Sequence, residues 1–154
     1  MAGIIDSRLA ELGITLPNAA APAANYVPAV QSGSMLYISG QLPMVDGKPS
    51  HIGQLGAEIA TDDGAVCARN CAINIIAQAK QALGDLDRVK RVVKLVGFVN
   101  SAPGYTDQPK VVNGASDLVV EVFGDAGRHA RSAIGVAELP FGVAVEVEAI
   151  LEVA

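Results

Sequence analysis

The chain has no tryptophan, only three tyrosines and three phenylalanines, two cysteines and two histidines in 154 residues. Metal sites need clustered ligands, and His51 and His129 are far apart in the sequence, so a metal centre is not expected. The cysteines, Cys67 and Cys71, sit four apart in a helical pattern and share one face. They read as small buried hydrophobes; a metal pair would need further ligands nearby. No apolar run approaches the ~18 residues of a membrane span. The first residues lack the basic start and long apolar run of a signal peptide, and a reducing cytoplasm is the simplest compartment.

Charge is scarce as well. Only 18% of residues are charged, with 11 Lys and Arg against 16 Asp and Glu and a net charge of −5. No basic block or basic–aromatic surface is present to neutralise phosphates or stack bases, so nucleic acid is not expected as a partner. The densest basic stretch, residues 88–94, alternates with valines and reads as a strand with one wet face. Ser39 has no nucleophile-elbow context, and no glycine-rich phosphate loop precedes a helix. Internal repeats and low-complexity segments are also missing.

Apolar residues, by contrast, are abundant: 51% hydrophobic, with a mean hydropathy of +0.37. That is ample core for one domain and leaves a surplus that another subunit should cover. A homo-oligomer is expected.

Residues 4–12 have helical spacing and stop at Gly13. An Ala/Pro linker follows, so residues 1–24 read as an extension and 25–154 as the domain. Residues 26–31 and 35–41 read as a hairpin around Ser32-Gly33-Ser34, and residues 43–57 as a loop with room for a short strand. Thr61-Asp62-Asp63 suits an N-cap for a helix to Gly84, whose stripe includes Ala68, Ala72, Ile75 and Ile76. Residues 89–99 read as a strand and 111–123 as a second amphipathic helix ended by Gly124. With closing strands at 130–138 and 143–153, the plan is α+β, two helices on one face of a mixed sheet.

The closing stretch carries the chemistry. Residues 131–148 read as two strands joined by a tight Leu-Pro-Phe-Gly turn, with Arg131, Glu146 and Glu148 on one side of the ribbon. Small neighbours, Ala133, Gly135 and Ala137, leave space around the guanidinium, which suits a fork for a small carboxylate. In that pairing Arg131 and Glu146 stand roughly 13 Å apart along the ribbon, so they would cooperate only across an interface. The glutamate face is either solvated or covered by a neighbouring subunit. His129 reads as a surface histidine at a strand start, with cleft lining as the alternative.

Asn25-Tyr26…Ala29-Val30, Ser39-Gly40-Gln41-Leu42-Pro43 and Arg131-Ser132…Leu139-Pro140 followed by Val145-Glu146-Val147-Glu148 together resemble the RidA/YjgF family of enamine/imine deaminases over most of residues 25–153. The resemblance implies a chorismate-mutase-like fold, a homotrimer whose sheets form a barrel, and clefts between subunits. It implies cofactor-free hydrolysis of 2-imino acids such as 2-aminoacrylate to 2-keto acids and ammonia. Arg131 then matches the carboxylate clamp, Glu146 the residue orienting water, Gly40 a backbone contact in the cleft and Tyr26 a residue at its mouth. Each has a plain structural alternative: an ion pair, a wet strand position, a bulge and an interface filler. Ala133 stands where many members carry cysteine, and Asn25-Tyr26-Val27-Pro28-Ala29 departs from the usual motif, which marks a longer, divergent branch. The alternative functions are a non-catalytic carboxylate-binding protein and, less consistent with the acidic charge, the endoribonuclease that family labels often name.

Overall fold

The computed structural model describes residues 2–19, 21 and 24–154. In chain order the elements are α1 (Ile4–Glu11), β1 (Ala29–Ser32), β2 (Met35–Gln41), β3 (Met44–Val45), β4 (Lys48–Pro49), α2 (Thr61–Leu83), β5 (Val89–Asn100), α3 (Gln108–Phe123), β6 (Ala130–Val136) and β7 (Val145–Val153). Five strands form one mixed sheet in the order β1-β2-β7-β5-β6, and β3 and β4 make a separate small ribbon. The α+β plan is as expected. The hairpin of β1 and β2 closes at Ser32↔Met35, where Gly33 takes the left-handed conformation a tight turn needs (φ 59°).

Side-chain periodicity decides how the layers meet. Along β7, Val145, Val147, Ala149, Leu151 and Val153 are buried and the residues between them only half-buried. The buried row joins Leu95 and Val99 of β5 beneath the small, apolar stripe of α2 and the valines of α3. The two helices approach closely because Gly114 lies against the Ala65 backbone, where any Cβ would overlap it. α2 starts without the expected side-chain cap: Ala60 occupies the N-cap position. Asp62 and Asp63 fall in the first turn, where carboxylates still complement the helix dipole.

α1 is fastened to this core from a distance. The amides of Ile4 and Ile5 each donate at 2.9 Å to the carboxylate of Asp87, Asp6 pairs with Lys80 at 2.8 Å, and Leu9 is buried in the core cluster. A Cβ at Gly3 would press on the Asp87 carboxyl, so a larger residue there would have to displace that carboxyl.

The closing hairpin inferred from sequence is not formed. β6 pairs in parallel with β5, Arg131 opposite Leu95, and β7 pairs antiparallel with β5 and β2. A strand from earlier in the chain therefore separates the two. The Leu139–Gly142 segment is a crossover rather than a hairpin turn, containing one 3₁₀ turn and a left-handed Phe141 at φ 59°. The opposite sheet face remains open, crossed by a row running Val30, Tyr37, Ile150, Lys94 and Ala130 in register. Val30, Tyr37 and Ile134 are 50%, 47% and 44% exposed on it, an unusual amount of bare apolar strand surface.

Candidate functional site

Register puts the two charged candidates on opposite faces. Laterally paired residues point the same way, so Arg131 follows buried Leu95 to the helix side. Glu146 pairs with Phe98 and points to the open side. They are two strands apart and three residues out of line, about 14 Å between Cα atoms. The expectation of one shared face is thus corrected, and the reason is the intervening β5. That Arg131 and Glu146 do not meet within one protomer still holds.

Gly40 and Glu146 are brought together. β2 slips register against β7 between Ile38 and Gln41, and the bulge carries Gly40 against the Glu146 carboxyl, which a Cβ there would overlap. Burial, and secondarily the neighbouring Glu148 carboxylate, raises the Glu146 pKa above the usual carboxylate range. A carboxylate so poised accepts a proton from water more readily than an exposed one.

Beside this contact a cavity of about 650 Å³ opens, walled by Tyr26, Ser39, Gly40, Gln41, Asn74 and Phe141. Tyr26, 53% exposed, stands at its rim. Asn74 braces the β3–β4 ribbon by donating to the carbonyls of Leu42 at 2.9 Å and Met44 at 3.1 Å. Glu148 itself borders a hollow of about 290 Å³ on the open face, with Tyr37, Lys94 and Ile150. A larger hollow of about 730 Å³ lies under residues 16–19 beside Lys80 and holds none of the candidate residues.

Arg131 reaches from β6 to α3. Its Nη1 donates to Asn113 Oδ1 at 2.8 Å and to Ser116 Oγ at 3.1 Å, and its Nη2 to the Pro109 carbonyl at 3.4 Å. All three acceptors are neutral. Among the described residues no carboxylate pairs with the guanidinium. Ala133 lies two residues further along the same strand face.

His129 is not the free surface residue first expected. It is half-buried, 2.6 Å from the Gly127 carbonyl through Nδ1 and 2.8 Å from Ser116 Oγ through Nε2. Sequence reasoning passed over Asn113 and Ser116 because it followed only the apolar stripe of α3; their spacing of three is the signal that was available.

Cys67 and Cys71 belong to the core, as expected. Although His51 Nδ1 lies 3.2 Å from the Cys67 sulfur, burial pushes that thiol pKa up and Cys71 well above its ordinary value. Neither thiol is poised as a nucleophile. Among the described residues no three His, Cys, Asp or Glu side chains gather into a metal-holding group, and no helix is long and apolar enough to cross a membrane.

Comparison with known proteins identifies the family and the fold. A family model described as YjgF/chorismate mutase-like, carrying a provisional endoribonuclease label, matches residues 6–150. Protein TCP17 of Trypanosoma cruzi is 57% identical over 151 residues, 97% of this chain and 94% of TCP17. The crystal structure of Atu1372 from Agrobacterium tumefaciens, of unknown function, has a TM-score of 0.92 at 50% identity, covering 97% of this chain and 92% of that one. TdcF of E. coli, solved with bound serine, has a TM-score of 0.66 at 26% identity, covering 89% and 94% of the two chains.

Proposed function

The chain belongs to the YjgF/chorismate mutase-like family, and from that premise we propose that it hydrolyses small 2-imino acids to 2-keto acids and ammonia. The observation that carries this reading is a guanidinium held by neutral acceptors and, among the described residues, left without an acid partner. Such a group is an unsatisfied anion site, and its planar fork fits a carboxylate. The serine bound to TdcF is itself a small α-amino carboxylate, which supports a ligand of this class.

Arg131 and Glu146 occupy opposite faces of one sheet, so a cleft containing both takes them from different protomers. The bare apolar surface around Tyr37 and Ile150 supports that assembly, a homotrimer in our reading, with the edge strand β6 of one copy brought beside the open face of the next. In that cleft Arg131, with the backbone at Ala133, grips the carboxylate and Tyr26 closes the mouth.

The chemistry is redox-neutral. Glu146 takes a proton from water as the oxygen attacks the C=N carbon, the π electrons pass to nitrogen, and nitrogen takes that proton from Glu146. The resulting 2-amino-2-hydroxy acid then loses ammonia: the Glu146 carboxylate, free again, takes the hydroxyl proton and hands it to nitrogen as the C–N bond breaks and the ketone C=O forms. General-base assistance of this kind is typically worth ~10²–10⁴-fold.

The test generates 2-aminoacrylate in situ from serine with a dehydratase and follows pyruvate. Wild type should accelerate release and Arg131→Ala should not; an uncatalysed rate with wild type, or full activity in Arg131→Ala, overturns the reading. Stabilisation by pyruvate without any turnover would instead identify a carboxylate-binding protein.

A further inference from the structure

We propose that Asn113, Ser116 and His129 are positioning residues, a polar cradle that fixes the Arg131 fork before the anion arrives. The proposal rests on Arg131 being the carboxylate clamp and extends it to side chains outside the cleft. The cradle assigns its donors and acceptors link by link from one His129 tautomer. The Gly127 carbonyl can only accept, so His129 Nδ1, 2.6 Å away, carries the proton. In that Nδ1–H tautomer Nε2 presents a lone pair, and the Ser116 hydroxyl donates to it across 2.8 Å. With its proton committed there, Ser116 Oγ turns lone pairs to Arg131 Nη1 at 3.1 Å. Asn113 takes the other Nη1 hydrogen at 2.8 Å, which fixes its oxygen toward the guanidinium.

This arrangement differs from an ion pair in two ways. The cradle contains no negative charge, so it orients the guanidinium without cancelling its attraction for an external carboxylate. It also engages Nη1 most fully; among the described residues nothing accepts from Nε. Arg131 is thereby held in one rotamer, and ordering that ligand binding would otherwise require is already done. His129 acts through Ser116. Without it the serine hydroxyl, in the middle of α3, is free to rotate and donate to its own helix carbonyls, so its lone pairs are no longer fixed toward Arg131.

Because a clamp grips substrate and transition state alike, loss of the cradle should raise KM and leave kcat within about twofold. One hydrogen bond's worth of effect is about 5- to 10-fold. Ser116→Ala and His129→Phe should show that rise in KM for 2-aminoacrylate and the same weakening of pyruvate binding. Ser116→Thr, which keeps the hydroxyl, and His129→Gln, which keeps a donor and an acceptor, should restore both. In the full wild-type chain, ¹⁵N-edited NMR should find His129 as the Nδ1–H tautomer. If wild type turns over imine but Ser116→Ala and His129→Phe keep its KM, the cradle is refuted while deamination stands. If wild type shows no turnover, pyruvate titration decides: weaker binding in Ser116→Ala supports the cradle, whereas equal binding, or none even in wild type, overturns it. An Nε2–H tautomer overturns it whatever the activity.

Discussion

Gly40 and the Glu146 carboxyl are in such close contact that no Cβ fits between them. The bulge between Ile38 and Gln41 creates the contact, and the missing side chain permits it. Gly40→Ala must therefore move either the bulge or the carboxylate. If Glu146 orients water, a displacement of about 1 Å is enough to cost on the order of 10²-fold in kcat/KM. Circular dichroism should show the fold retained while turnover falls; an alanine variant with wild-type turnover would separate Glu146 from the chemistry.

The acid limb of the rate profile should report the same carboxylate. A general base must be ionised, so kcat/KM is expected to fall as pH drops through the raised Glu146 pKa, above the ordinary 4.5. Glu148→Gln removes the lesser of the two causes and leaves burial. The limb should then move to lower pH without returning fully to the ordinary value. A limb that stays fixed would exclude Glu148 repulsion as a contributor.

Stability should carry the opposite imprint. Glu146 holds its proton more tightly folded than unfolded, so between pH 4.5 and the raised value the native state binds more protons, and stability falls as pH rises through that window. Above it the buried charge is a standing cost. Glu146→Gln is expected to melt at a higher temperature than wild type at neutral pH, with the difference vanishing below pH 4.5, where both side chains are neutral. Equal melting at neutral pH would mean the carboxylate is solvated.

The elements themselves were legible because each has a local period. The stripe of α2, the alternation of β7 and the Gly33 turn all follow from neighbours in sequence. Strand order was not, because alternation fixes which face a residue takes but not which strand lies beside it. Arg131 on the helix side broke the expectation that charge faces out. Its long side chain escapes the core at the sheet edge and ends on the polar residues of α3. Asp87, serving the start of α1 from 82 and 83 residues away, leaves no local sign at all.

That remote cap gives its own prediction. The Ile5 amide first and the Ile4 amide second hold the Asp87 carboxyl below its ordinary pKa of 3.8. The stabilisation is therefore complete above that value and fades as pH falls through the lowered one. Asp87→Ala should loosen α1, seen as faster amide exchange in residues 4–11 with the sheet amides unchanged. Uniform protection in the variant would mean that Leu9 and the Asp6–Lys80 pair hold the helix alone.

Opposite faces also make a prediction about mixtures. Arg131→Ala keeps an intact Glu146, and Glu146→Gln keeps an intact Arg131, so each variant alone should have no complete cleft if the cleft is shared between protomers. When the two are unfolded together and reassembled, some interfaces pair the sound arginine of one with the sound glutamate of the other. Such sites are wild type in every contact, and in a ring assembled at random from equal parts about a quarter of the interfaces have this composition. Activity should rise from near zero to about that fraction of wild type, while mixing without reassembly restores nothing. If reassembled mixtures remain dead, Arg131 and Glu146 do not serve one cleft. Either residue would then have to act with other groups on its own face of the sheet.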